Sequence, residues 1–169
     1  MITSSFWLDG YNDIYSDFDS RHSQVRRISE DFLHELRIDM RYQQHPIEEL
    51  ILLVPEPERE EATEVIIINS LKKFFNTQYQ LYHGKCRRKL NISILMGASG
   101  IAIMMLDATA LFLGIRSLVT TLLSTIMEPA SWFLLWTSVD YLIYDWNNLR
   151  KERRFYKKLS EANIAFKTT

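Results

Sequence analysis

Three carboxylates stand in surroundings that disfavour charge. Asp107, Glu128 and Asp140 lie within two long apolar blocks, and Asp145 stands near the end of the second. An ionised carboxylate facing hydrocarbon costs about 3 kcal/mol on insertion scales. Each acid therefore calls for a proton, a hydrogen-bonding neighbour or a cation. Two carboxylates in one low-dielectric site tend to share a proton or bind a cation. Three chemistries follow. The acids can hydrogen-bond to Ser, Thr, Trp or Tyr between helices. They can line a cation or proton path through Asp107, Glu128 and Asp140. They can meet a lipid or a partner helix. Asp145 is expected to be solvated or paired with Arg150 or Arg153.

Other chemistry-bearing residues give weaker signals. Cys86 is the only cysteine, which excludes an intrachain disulfide and a secreted disulfide scaffold. It sits among Lys85, Arg87, Arg88 and Lys89, which would lower its pKa and leave palmitoylation or redox chemistry beside an ordinary juxtamembrane thiol. Glu30, Asp31, His34 and Glu35 share helical spacing, but a solvated face explains them better than a metal site. His22, His45 and His83 have no motif around them. There is no phosphate-binding loop, dinucleotide fingerprint, nucleophile motif or zinc spacing. The expectation is a non-enzyme without cofactor or metal.

The elements that must position the acids are two spans. Asn91 to Ile115 is 25 residues with Asp107 as its sole ionisable group. About 20 such residues cross the hydrocarbon core. Ser117 to Trp146 is 30 residues, about 45 Å as one helix, which is too long for an upright span. Proline starts helices well and interrupts them badly. Pro129 therefore predicts a short interfacial or re-entrant helix over 117–127 and a span over 129–146. One tilted, kinked helix is the alternative.

Charge sets the orientation. Residues 65–91 carry 6 bases and no acid, 92–146 carry one base, Arg116, and 147–169 carry 7 bases against 2 acids. This layout suits a membrane protein better than a nucleic-acid binder. It predicts a multi-pass protein of the cytoplasmic membrane with both termini inside. Trp132 at one end of the second span, and Tyr141, Tyr144 and Trp146 at the other, suit the aromatic belts. Lys85, Arg87, Arg88 and Lys89, and Arg150, Lys151, Arg153 and Arg154, are expected to attract anionic lipid headgroups.

Two periodic faces emerge. Ser93, Gly97, Gly100, Met104, Asp107, Leu111 and Gly114 follow a 4-3-4-3 rhythm, a largely small-residue face of the kind that lets helices approach in lipid. Asp107 should therefore face protein. Its depth, about 24 Å along the span, brings it toward Glu128 at the outer side. Glu128, Trp132, Trp136, Asp140 and Tyr144 recur every four residues as a slanting stripe. Together they predict a homo-oligomer whose inter-subunit core holds Asp107 and the tryptophans.

The rest is a small cytoplasmic α/β part. Residues 1–20 lack a basic leader and are expected to be a flexible acidic tail, with docking of Phe6, Trp7 and Leu8 as the alternative. Residues 21–90 form a helix–strand–helix region. Val25, Ile28, Phe32, Leu33, Leu36 and Met40 predict an amphipathic helix over 22–42, and 36–42 also alternates like a strand. IEELILLV predicts a strand over 48–54, ended by Pro55 and Pro57. Acids then open a helix that runs past Gly84 toward the first span. The strand's partner is NIAFK at 163–167, the 36–42 segment, or another subunit. Residues 147–169 form a basic cytoplasmic segment. The fold class is thus mainly α, a transmembrane hairpin over 91–146 with one or two short strands.

Glu128, the Trp132–Trp136 pair, Asp140 and Tyr144-Asp145-Trp146 resemble a family of small uncharacterised two-span prokaryotic integral membrane proteins. That family has a proline-ended strand and a basic helix before its first span, as LILLVPEP and LKKFF through KCRRK suggest here. The likeness covers 45–166 loosely and 128–146 well. Pro129 and Ala130, Thr137 and Ser138, and Asn147 and Asn148 depart from the pattern, the second pair replacing an arginine and a proline. The resemblance implies topology and no activity. The expected role is a non-enzymatic, homo-oligomeric assembly or interaction module with an unknown protein partner. The alternative is an oligomeric cation or proton channel.

Overall fold

ELILLV, the strand β2 (Glu49–Val54), is almost wholly aliphatic, the composition of a strand covered on both sides. In the computed structural model, which describes residues 3–18, 26–42, 48–115 and 117–168, β2 is central. β1 (Thr3–Trp7) lies on one side of it and β3 (Asn163–Thr168) on the other, all parallel. Ser4, Leu50 and Ile164 form one row, and Phe6, Leu52 and Phe166 another. Side chains alternate across a strand, so these rows share a face. Ser4, Leu50, Leu52, Val54, Ile164 and Phe166 are buried there. On the other face Ser5, Trp7 and Lys167 are exposed.

Among the described residues, four α-helices complete the fold: α1 (Glu30–Tyr42), α2 (Glu61–Phe112), α3 (Leu118–Asp140) and α4 (Trp146–Glu161). The chain divides into two compact units, Met1–Gln80 with Arg153–Thr169, and Leu81–Glu152. In the first, Phe32, Leu33 and Leu36 of α1 join Ile67, Leu71 and Phe75 of α2 and Phe155, Tyr156 and Leu159 of α4 in the core. The four-residue spacing of Ile67, Leu71 and Phe75 puts them on one helix stripe. Phe6 meets Phe32 edge-on at 6.5 Å, and the Arg37 guanidinium lies 5.1 Å from the Phe155 ring centre.

The second unit is a helical hairpin. α2 ends in a glycine cap. Gly114 has φ of 67°, its N–H donates to the Leu111 carbonyl, and the Ile115 N–H donates to that of Ala110. This is a Schellman motif, which needs a left-handed residue at its centre. α3 then opens on a capping box: the Ser117 hydroxyl accepts from the Val119 N–H at 3.2 Å, and the Thr120 hydroxyl from the Ser117 N–H at 2.8 Å. α2 and the helical run Leu118–Glu161 that α3 opens are both long and apolar enough to cross a membrane.

Several expectations change. Residues 3–7, expected in a flexible tail, form an edge strand, and Ile14 and Tyr15 beyond it are buried. TSSFW is three small hydroxyl residues followed by two aromatic ones, and β2 offers it a complete row of backbone partners. The sheet therefore has three strands rather than one or two. Of the partners considered for β2, the 163–167 segment is used, while 36–42 stays helical. α1 begins only at Glu30, because Ile28 bridges to Tyr15. Pro129 does not separate two helices: α3 runs through it. A proline inside a helix removes one donor, here the one that would serve the Thr125 carbonyl. His22, Val25, His45, Pro46 and Arg116 lie outside the described residues.

Candidate functional site

The seam of the hairpin is a ladder of small and polar side chains. Ser93 donates its hydroxyl to the Ser138 carbonyl at 2.7 Å, and Ser138 returns a bond to the Ser93 carbonyl at 2.8 Å. Both side chains are buried. A Cβ on Gly97 would stand 2.8 Å from the Ser138 hydroxyl, and one on Gly100 would stand 3.0 Å from the Ser131 carbonyl oxygen. Ser131 is fully buried and donates to the Glu128 carbonyl at 2.7 Å. Towards the tip, the Ser124 hydroxyl donates to the Asp107 carboxylate.

At the other end Lys89 closes the ladder. Its ammonium lies 2.5 Å from the Asp145 carboxylate and 3.9 Å from the Tyr141 ring centre. Both partners belong to a π-helical turn, Tyr141–Asp145, between α3 and α4. Asp145 thus pairs with Lys89, not with Arg150 or Arg153. Arg150 instead stacks on Trp146 at 5.0 Å.

Ser124, Ser131, Ser138 and Asp145 are spaced by seven residues. A seven-residue period keeps a side of one helix against its neighbour. The matching face of the first span is legible in the sequence, and this one is not, because splitting the segment at Pro129 hides its signal.

The expected packing residues separate into two groups. Ser93, Gly97 and Gly100 lie in the seam, and Gly114 lies in the turn. Trp132, Trp136 and Tyr144 take no part in the seam, being 48, 67 and 64% exposed. Glu128 and Asp140 are exposed with them. At about 100° per residue, the middle of this stripe points away from the serine ladder. Asp107 is therefore committed within the hairpin, while the tryptophans face outward. The structure does bring Asp107 and Glu128 together: both line a cavity of about 150 Å³ with Met104, Leu111, Met127 and Ser131 among its walls.

The bases are also differentiated. Lys85 sits 5.0 Å from the Tyr82 ring centre. Arg87 and Arg88 are exposed beside Gly84, Asn91 and Ile92, which line a shallow notch with them. Lys151 and Arg154 are exposed and Arg153 half-buried. Cys86 is only 2% exposed, which removes the accessibility that a reactive or acylated thiol requires. Glu30, Asp31, His34 and Glu35 are all exposed. Among the described residues no three His, Cys, Asp or Glu side chains are placed to hold a metal.

The α/β unit carries a polar cluster beyond the C-terminal ends of the strands. Arg59 grips Glu64 with two hydrogen bonds of 2.8 and 3.0 Å and donates to the Thr168 hydroxyl at 2.9 Å. The Tyr11 hydroxyl donates to Glu64 at 3.2 Å and accepts from the Glu60 N–H at 2.8 Å. Arg59's hydrogen bonds hold the Glu64 carboxyl below its usual range, and burial pushes the Tyr11 phenol up. Each group is satisfied by another in the cluster, so it acts as a clamp joining the start of α2 to β3. No family model, curated protein or solved structure matches the chain.

Proposed function

We propose that this is an integral membrane protein of non-enzymatic, structural role. In this reading the hairpin crosses the cytoplasmic membrane with both termini inside. Copies associate through the outward stripe of α3, and the α/β unit serves as an interaction module on the cytoplasmic side. Membrane insertion is supported by what the hairpin leaves uncovered. Only 6% of the most apolar window in either long helix is buried within the chain. Ile94, Leu95, Met105, Leu106, Leu122 and Phe133 are all more than half exposed. Soluble monomers rarely expose contiguous apolar surface on this scale. The basic flanks and the resemblance of 128–146 to two-span membrane proteins favour the same topology.

The observation that carries self-association is the exposure of Glu128 on the outward stripe, one turn before Trp132. It lies 10 residues beyond Leu118, where α3 begins, about 15 Å along the helix and well within a span. Lipid cannot satisfy a carboxyl group there, whereas the indole N–H groups and phenols of a second copy's stripe can. Native mass measurement of the full chain in mild detergent tests this. The expected result is an oligomer that Trp132→Ala with Trp136→Ala dissociates. A wild-type monomer at micromolar concentration would contradict it.

A second reading rests on the cavity that Asp107 and Glu128 share. Two carboxylates lining one cavity favour a cation or a shared proton, so an oligomer of such hairpins could conduct. Cation and proton flux into liposomes decides this reading. Conduction must be altered by Asp107→Asn or Glu128→Gln, and absence of flux from inserted oligomer removes it.

A further inference from the structure

At residues 84–93, α2 presents two sides. Cys86 is buried, and Lys89 and Ser93 are bonded to Asp145 and Ser138. Gly84, Arg87, Arg88 and Asn91 lie about 180° away by helix geometry. Those four, with Ile92, line the notch. Position 84 at its base has no side chain and borders open space. Neither Arg87 nor Arg88 has an acidic partner among the described residues. Lys89, only one residue further, is already neutralised by Asp145.

The same outer side continues into exposed apolar surface. Leu95 and Leu106 are 68 and 63% exposed, and between them stand the exposed small residues Ala98 and Ala102. Two unpaired guanidinium groups, an amide and an apolar track below them match one ligand class. Guanidinium binds phosphate through paired N–H donors, and acyl chains fill apolar track beside small residues.

From this we infer that the notch holds the phosphate of one anionic phospholipid, with its acyl chains along Leu95, Ala98 and Ala102. The site rests on the membrane placement proposed above. It differs from diffuse attraction to basic flanks by having one place on α2 and a stoichiometry.

The test is native mass spectrometry of the full-length protein in mild detergent, titrated with phosphatidylglycerol, phosphatidylcholine or inorganic phosphate. Carbonate extraction of the expressed protein is run first. The expected result is an extraction-resistant protein with one phosphatidylglycerol adduct that phosphatidylcholine does not reproduce. Arg87→Gln with Arg88→Gln should weaken that adduct about thirtyfold, at about fivefold for each base near an anionic headgroup. Gly84→Phe, which changes no charge, should abolish it, while Lys151→Gln with Arg154→Gln should leave it intact. Competition by millimolar inorganic phosphate at equal strength would identify a free-phosphate site and overturn the lipid assignment. Equal loss from both arginine and control variants, with Gly84→Phe binding normally, would mean diffuse charge and overturn the site alone. Release of the protein by carbonate would overturn both the site and the membrane placement.

Discussion

Ser93 and Ser138 donate their hydroxyls to each other's backbone carbonyls across the hairpin, at 2.7 and 2.8 Å. Such an exchange requires the two backbones to approach closely, and Gly97 and Gly100 make that approach possible. Between helices in lipid, hydrogen bonds of this kind contribute about 0.6 kcal/mol each.

Glycine substitutions should divide by position. Gly97→Leu and Gly100→Leu would drive side chains into Ser138 and the Ser131 carbonyl, at about 1–3 kcal/mol for overpacking. Gly84→Ala meets no atom and should stabilise by about 0.5–1 kcal/mol, because glycine weakens a helix interior. Thermal unfolding of the three variants in one detergent checks the order. Ser138→Ala should be milder than either seam-glycine variant, since Ser93 keeps its bond to the residue 138 carbonyl.

Reversing the Lys89–Asp145 pair supplies a second check. Lys89→Asp places two carboxylates beside each other and should loosen the hairpin end. Adding Asp145→Lys should restore it, less the contact with the Tyr141 ring. Both side chains remain partly exposed, so the coupling should shrink as salt rises. Protease cleavage near residues 141–150 at low and high ionic strength reads the effect.

The Arg59–Glu64 clamp makes stability depend on pH in a set direction. The carboxyl of Glu64 is held below its usual value of 4.5 by Arg59. Its contribution is therefore present above about pH 4.5 and is lost as pH falls through the depressed value. Thermal unfolding by circular dichroism should show wild type losing more than Glu64→Gln between pH 7 and pH 3.5. At the alkaline end, Tyr11 and Tyr15 are raised above 10.0 by burial. Their contribution is complete below pH 10 and lost as pH rises through the raised values.

The parts legible in the sequence were those with local periodicity. The small-residue face of the first span could be read because Ser93, Gly97 and Gly100 repeat within one unbroken helix. The aliphatic run of β2 and the acidic opening of α2 were legible for the same reason. β1 was not, since five residues beside an acidic stretch become a strand only when a distant β2 offers its edge. The serine heptad was lost because proline's local preference was given more weight than a repeat crossing it. The stripe from Glu128 to Tyr144 was visible, but its direction depends on which face α2 occupies, and that is a tertiary fact. The same fact separates Asp107, bonded to Ser124 within the chain, from the outward tryptophans with which the sequence had grouped it.

The most direct test of the account is cysteine cross-linking between copies in native membranes. Cys86→Ala would serve as the background, with Trp136→Cys compared against Ala130→Cys, which lies about 120° round the helix. The account predicts oxidised dimers from position 136 and few from position 130. Equal cross-linking at both positions, or none at 136 in protein shown to be inserted, would contradict association through the outward stripe of α3.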